Sequence, residues 1–323
     1  MIRAVVRGVG HYLPERVVGN DWFESFLDTS DDWIRDRSGI ERRHFAAEGE
    51  LTSDLATAAA RAALADAGAE TDAVDAIVVA TSTPDLTFPA TATIVQQKLG
   101  MTRGFAFDVQ AVCAGFVFAL ANANALIVSG QAQRVLVIGA ETFSRIMNWE
   151  DRTTCVLFGD GAGAVLLEAA QGAGTVEDRG ILACDLHSDG RHREILQVSG
   201  GVSSSQTSGH LMMAGKEVFR HAVEKLARST LDVIAKGGAT VDMVDRVVPH
   251  QANIRIITRT AAKLSMPMER IVVTVQDHGN TSAASIPLAM SVAKARGQLS
   301  EGELVVTEAI GGGLSWGAVL LRW

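Results

Sequence analysis

Apolar residues along the chain fall into two kinds of run. Two alanine-rich segments, Ser53 to Ala67 and Val218 to Ala235, read as helices with a buried face. Each precedes a short apolar run, Ala76 to Ala80 and Arg246 to Val248, that does not alternate with polar residues. Such runs predict strands covered by helices on both faces. Further helices over Ala114 to Ser129 and Ser282 to Arg296 precede further strands, Arg134 to Ile138 and Glu303 to Thr307. Met1 to Val6 also has a strand pattern.

The pattern occurs twice. Leu64 to Ala69 with Asp72 to Val78 aligns without gaps on Ile234 to Ala239 with Asp242 to Val248, 170 positions on (72 to 242). Gly163 to Leu167 recurs as Gly317 to Leu321, and Gly130-Gln131 as Gly297-Gln298, 167 positions on (130 to 297). Three matches in one order predict two related halves, near 1–170 and 171–323, each built of α/β layers and packed as a pseudo-symmetric pair.

Composition narrows the class. The 323 residues are 47% hydrophobic and 20% charged, typical of a soluble globular protein. A net charge of −8 argues against nucleic acid as the main partner. Three cysteines cannot form a disulfide framework, and no signal peptide is evident, so a cytoplasmic, reducing setting is expected. The most hydrophobic stretch, Ala111 to Gly130, is long enough for a membrane span. Asn122 and Asn124 at its middle favour a buried helix, and no membrane association is expected.

Candidate chemistry centres on Cys113. With the 167-residue offset, Cys113 and Asn280 become equivalent, each at the start of a buried helix. A thiol there would feel the positive end of the helix dipole, which favours the thiolate. Position alone leaves a small buried hydrophobe as the competing reading. Cys155 and Cys184 lack such a position and read as structural. His250, in Pro249-His250-Gln251-Ala252-Asn253, follows a strand end, a common place for catalytic groups. Asn280, in His278-Gly279-Asn280-Thr281-Ser282, reads either as a helix cap or as a functional amide. His278 beside it reads as holding the loop. No histidine has metal-ligand spacing, so no metal is expected. Gly311-Gly312-Gly313 would let N–H groups approach a ligand and form an oxyanion hole with the Cys113 N–H. Gly159 to Gly163 reads as a tight turn between strands.

These residues together resemble the thiolase superfamily, most closely the β-ketoacyl-acyl-carrier-protein synthase III family. The resemblance covers essentially the whole chain. Its most specific pieces are Asp28 to Ile34, Ala111 to Phe116, Phe158 to Gly163, Val248 to Asn253 and His278 to Ser285. It implies a layered αβαβα sandwich and a decarboxylative condensation of a short acyl-CoA, acetyl-CoA foremost, with malonyl-acyl-carrier-protein, initiating fatty acid synthesis. Cys113 would carry the acyl group. Cys113 and Gly312 N–H groups would hold its oxyanion. His250 and Asn280 would stabilise the enolate formed as carbon dioxide leaves. Coenzyme A enters as substrate, and no cofactor is implied.

The same resemblance assigns coenzyme A contacts to Trp33, Arg37, Arg152, Gly215, Phe219 and Asn253, with Trp33 and Arg152 on the two faces of adenine and Arg37 on phosphate. It places Phe158 and Ile310 in the acyl pocket, and Phe88 across a homodimer interface in the partner's pocket. Ile310 stands where many relatives have Phe, which leaves primer length open. Independently, Arg255, Arg259 and Lys263 form an i, i+4, i+8 basic stripe. It suits either an acidic carrier protein or plain solvation. Arg220 joins it by resemblance, whereas Ala262 replaces a further family base. A starter enzyme of polyketide- or quinolone-type metabolism is the rival enzyme reading, and a non-catalytic synthase partner the remote one. A biosynthetic thiolase would carry a second cysteine near the glycine loop, and an elongating enzyme a second histidine in place of Asn280.

Overall fold

The computed structural model describes residues 1–323 and contains two principal β-sheets. Strands β1 (Ile2–Tyr12), β2 (Ala76–Ala80), β3 (Phe105–Val109), β4 (Arg134–Glu141) and β5 (Gly161–Gln171) form one sheet in the order β1-β5-β4-β2-β3. Strands β6 (Gly180–Ser188), β7 (Arg246–Pro249), β8 (Leu304–Gly311) and β9 (Ser315–Arg322) form the other in the order β6-β9-β8-β7. The pairings match in sense. β1 with β5, and β5 with β4, are antiparallel, as are β6 with β9 and β9 with β8. β4 with β2, and β8 with β7, are parallel. Where the first sheet continues into β3, the second has a single parallel bridge from Val247 to Ile271.

Helices Gly115–Val128 and Ser285–Ala295 lie between the sheets, where Phe116, Leu120, Ile286 and Met290 pack with strand residues such as Val137 and Val305. Helices Thr52–Ala67 and Thr91–Leu99 cover the far face of the first sheet, and Gly215–Lys236 and Ile254–Lys263 that of the second. The result is a thiolase-like αβαβα sandwich of two pseudo-symmetric halves. All five side chains of β2 are buried, which is why its sequence lacks alternation. Each fully buried Val or Ile side chain of this strand stabilises by about 1.5–3 kcal/mol.

Two expectations change. The central helices do not begin at Ala114 and Ser282. Each is preceded by a 3₁₀ turn, Val112–Ala114 and Ser282–Ala284, whose first residue has φ +49°. The equivalence is therefore Val112 with Ser282, again 170 positions apart, and Cys113 matches Ala283 rather than Asn280. The 167-residue offset of the Gly-Gln pair arises beyond the second central helix, which is three residues shorter (14 against 11). The run Gly159 to Gly163 is also not simply a turn, because β5 begins at Gly161. A Cβ on Gly163 would lie 2.4 Å from the Leu288 nitrogen, so this glycine lets the second central helix rest directly on the strand backbone.

Candidate active site

The two 3₁₀ turns pack against one another, and the first of them borders a largely apolar cavity of about 330 Å³. Cys113, His250 and Asn280 all line it, and all are buried. Cys113 enters from the first half, on the turn that follows β3. Gly311, at the end of β8, packs so closely that a Cβ there would stand 2.6 Å from the Cys113 nitrogen. Burial pushes the thiol up to about 12, against the smaller lowering from the Ser282 hydroxyl and the Cys113 amide.

His250 enters at the end of β7, its N–H bonded to the Glu308 carbonyl of β8 at 2.8 Å. Its Nδ1 is 2.6 Å from Ser285 Oγ. The Gln251 amide donates to the same Oγ at 3.3 Å, which leaves the serine proton for Nδ1. This network assigns the ring proton to Nε2. Burial lowers the ring to about 3, so the imidazole is neutral. Asn280 is equally constrained. Its Oδ1 accepts from the Ser282 amide at 2.9 Å, its backbone N–H donates to Leu157, and its carbonyl accepts from Gly159. Nδ2 is thereby left as the outward donor. The cavity thus brings together one thiol and two neutral N–H donors. Such a set can accept an acyl group and stabilise a developing oxyanion.

The other expected residues divide. Trp33, Arg37, Gly215, Phe219 and Asn253 line the cavity with the trio, as do Phe158 and Ile310. Phe158 stacks on Phe143, ring centroids 4.7 Å apart, as one wall. Arg152 is outside the lining, with its guanidinium on Asp28 and 5.4 Å from the Trp33 centroid. Arg37 also stacks on Trp33, at 4.4 Å. An adenine between Trp33 and Arg152 therefore requires Arg152 to lift away. Asn253 caps the helix after it by accepting from the Arg255 amide, and donates to the Arg37 carbonyl. Gly312 is not part of the lining, but its N–H makes no hydrogen bond within the chain. Phe88 is 82% exposed and is not part of this chain's cavity lining. Arg255 and Arg259 line a separate groove of about 560 Å³ that shares Phe219 with the cavity, whereas Lys263 and Arg220 lie outside both.

Sequence reasoning missed three residues here. Ser282 and Ser285 lie in the His278 to Ser285 segment, which signals no role for either hydroxyl. Glu141, at the end of β4, carried no motif signal. It is fully buried, accepts from Thr83 Oγ1 at 2.7 Å and from the Ser82 amide at 3.0 Å, and burial raises it to about 7. His278 is buried, does not line the cavity, and is lowered to about 3. No group of three or more His, Cys, Asp or Glu side chains is arranged to hold a metal ion. No helix is long and apolar enough to cross a membrane.

Residues 107–190 match the family model of 3-oxoacyl-[acyl-carrier-protein (ACP)] synthase III, and residues 234–323 match that of its C terminal. The β-ketoacyl-[acyl-carrier-protein] synthases III of Dinoroseobacter shibae and Ruegeria pomeroyi are each 72% identical over 321 residues, 99% of both chains. The crystal structure of 3-oxoacyl-[acyl-carrier-protein] synthase III from Aquifex aeolicus superposes with a TM-score of 0.93 at 43% identity, covering 99% of this chain and 100% of that one. The priming β-ketosynthase of the R1128 polyketide pathway gives 0.92 at 33% identity, covering 99% and 96%. Fold and relatives define a thiolase-like condensing enzyme, an acyltransferase. Within that class, the chain belongs to the 3-oxoacyl-[acyl-carrier-protein] synthase III family.

Proposed function

We propose that this enzyme joins a short acyl-CoA, acetyl-CoA foremost, to malonyl-acyl-carrier-protein, and so initiates fatty acid synthesis. The carrying observation is the convergence of Cys113 with two neutral, fixed donors on one apolar cavity. Cys113 attacks the thioester and coenzyme A leaves. The Cys113 and Gly312 N–H groups hold the tetrahedral oxyanion. His250 Nε2 and Asn280 Nδ2 then donate to the malonyl thioester carbonyl. As carbon dioxide departs, they stabilise the enolate, which attacks the acyl-cysteine. Because His250 is neutral and Asn280 cannot titrate, both donors persist across the working pH range. The chemistry calls for no metal or prosthetic group.

Trp33, Arg37, Arg152, Gly215, Phe219 and Asn253 guide coenzyme A, with Arg152 moving off Trp33. Phe158 and Ile310 bound the acyl end. The exposed Arg220, Arg255, Arg259 and Lys263 present positive charge near the mouth, suited to an acidic carrier protein. The working form is a cytoplasmic homodimer, and within each subunit the halves 1–170 and 171–323 both supply part of the site. Phe88 of one copy reaches the polar groove of about 870 Å³ on the other, which shares Val112, Phe143 and Leu196 with the acyl cavity.

Assaying malonyl-acyl-carrier-protein against malonyl-CoA, across primers of increasing length, tests this reading. Preference for the carrier-protein substrate with acetyl-CoA supports it. Preference for malonyl-CoA or long primers points instead to a starter enzyme of specialised metabolism.

A further inference from the structure

Behind Cys113 lies a buried acid that the condensation mechanism above does not use. Glu141 has no exposed surface, and no Lys, Arg or His pairs with it. Its carboxyl is held by Thr83 Oγ1, the Ser82 amide and, more weakly, Thr81 Oγ1 at 3.3 Å, all on the turn after β2. From the other half, Ser282 and the Ala283 amide face it. The Ser282 hydroxyl is fully buried and closes an ideal hydrogen bond with nothing, yet lies beside both the Glu141 carboxyl and the Cys113 thiol. Ser282 is held there by its φ of +49° and by the Asn280 side chain that accepts its amide. Among the groups facing Glu141, Cys113 is the titratable one. Asp160, another fully buried carboxyl of this half, is held separately by Ser144 and the Ala46 amide.

We infer that Glu141, acting through Ser282, stores the thiol proton of Cys113 while the enzyme carries an acyl group. This rests on the reading of Cys113 as the acyl acceptor. On attack, the Cys113 Sγ–carbon bond forms and the carbon–sulfur bond to coenzyme A breaks. The Sγ proton passes to Ser282 Oγ, the serine proton passes to the Glu141 carboxylate, and coenzyme A leaves as thiolate to be protonated by water. In condensation, the bond between the malonyl Cα and its carboxylate breaks, its electron pair becomes the new carbon–carbon bond, carbon dioxide leaves, and the acyl carbon–Sγ bond breaks with Cys113 departing as thiolate. The proton then returns from Glu141 through Ser282. The buried cluster holds one negative charge before acylation and none in the acyl-enzyme. No second charge is ever desolvated, which is the costly alternative. Glu141 is thus a positioning residue, set near neutrality by burial at about 7.

The test is the pH dependence of Cys113 acylation by acetyl-CoA in single turnover, in the full-length enzyme and in Glu141→Gln, Glu141→Asp and Ser282→Gly. Glycine suits the positive φ at 282, so the last variant removes the hydroxyl with the least disturbance of the fold. The unaltered enzyme should show a limb with a midpoint near 7. Glu141→Gln and Ser282→Gly should lose that limb, slow acylation at neutral pH by about 100-fold, and gain rate only at high pH. Glu141→Asp should retain the limb. A purely repulsive buried carboxylate has the opposite sign, since Glu141→Gln would then ease thiolate formation and raise reactivity. Raised reactivity, or an unchanged midpoint in both Glu141→Gln and Ser282→Gly, overturns the inference. Absence of label on Cys113 in the unaltered enzyme would instead overturn the reading on which it rests.

Discussion

The turns Val112–Ala114 and Ser282–Ala284 are the same backbone device used twice. Each follows one half's outer strand or bridge, opens with a non-glycine residue at φ +49°, and leads into a central helix. Their chemistry differs. The first presents a thiol, where the second has Ala283. The second is instead wrapped by donors, because the Ser282 amide orients Asn280 and the Ser285 hydroxyl orients His250. A symmetric scaffold thus brings two different half-sites to one cavity, the thiol from one half and the fixed N–H groups from the other.

The comparison breaks first through packing. A Cβ on Gly139 would stand 2.1 Å from the Ala283 carbonyl oxygen, so Gly139→Ala should force the second turn off the strand. The expected outcome is a loss of several kcal/mol of stability, measured by urea unfolding. Next comes chemistry. Asn280→Ala should slow carbon dioxide release by about 100- to 1000-fold, while acylation of Cys113 by acetyl-CoA stays within a few-fold of the unaltered rate.

Ser285→Ala has a smaller expected effect. Without the hydroxyl, the Nε2–H tautomer loses its support, and condensation should fall by about 10-fold with little change in acylation, read by comparing the two single-turnover rates.

The pH dependence of stability sharpens the contrast further. His250 and His278 are lowered from 6.5 to about 3, so stability falls as pH drops below 6.5 and the unfolded chain takes up protons. Glu308, on β8, is raised from 4.5 to about 8, and one of its oxygens has no partner. The folded chain keeps that proton while the unfolded chain loses it, so its contribution falls as pH rises from 4.5 towards 8. Glu308→Gln should therefore flatten the decline in melting temperature between pH 6 and pH 8.

Much of this was legible in the sequence because both-face burial leaves unbroken apolar strands and a repeat leaves aligned remnants. Cys113, His250 and Asn280 lay in motifs dense enough to name a family. Their true alignment was not legible. The shorter second central helix shifts the Gly-Gln pair by three residues and made Asn280 look equivalent to Cys113. Gly163 looked like a turn because its neighbour, the second central helix, is over a hundred residues away. Glu141 and Ser282 carry no local pattern at all, since only tertiary packing sets an acid from one half against a hydroxyl from the other.

The division of labour between the halves is tested most directly by incubating Asn280→Ala and Cys113→Ser with labelled acetyl-CoA and mapping the labelled peptide. Label on Cys113 in Asn280→Ala at the level of the unaltered enzyme, without carbon dioxide release when malonyl-acyl-carrier-protein is added, is the predicted result. Failure of Asn280→Ala to take up label, or label retained in Cys113→Ser at another residue, would contradict it.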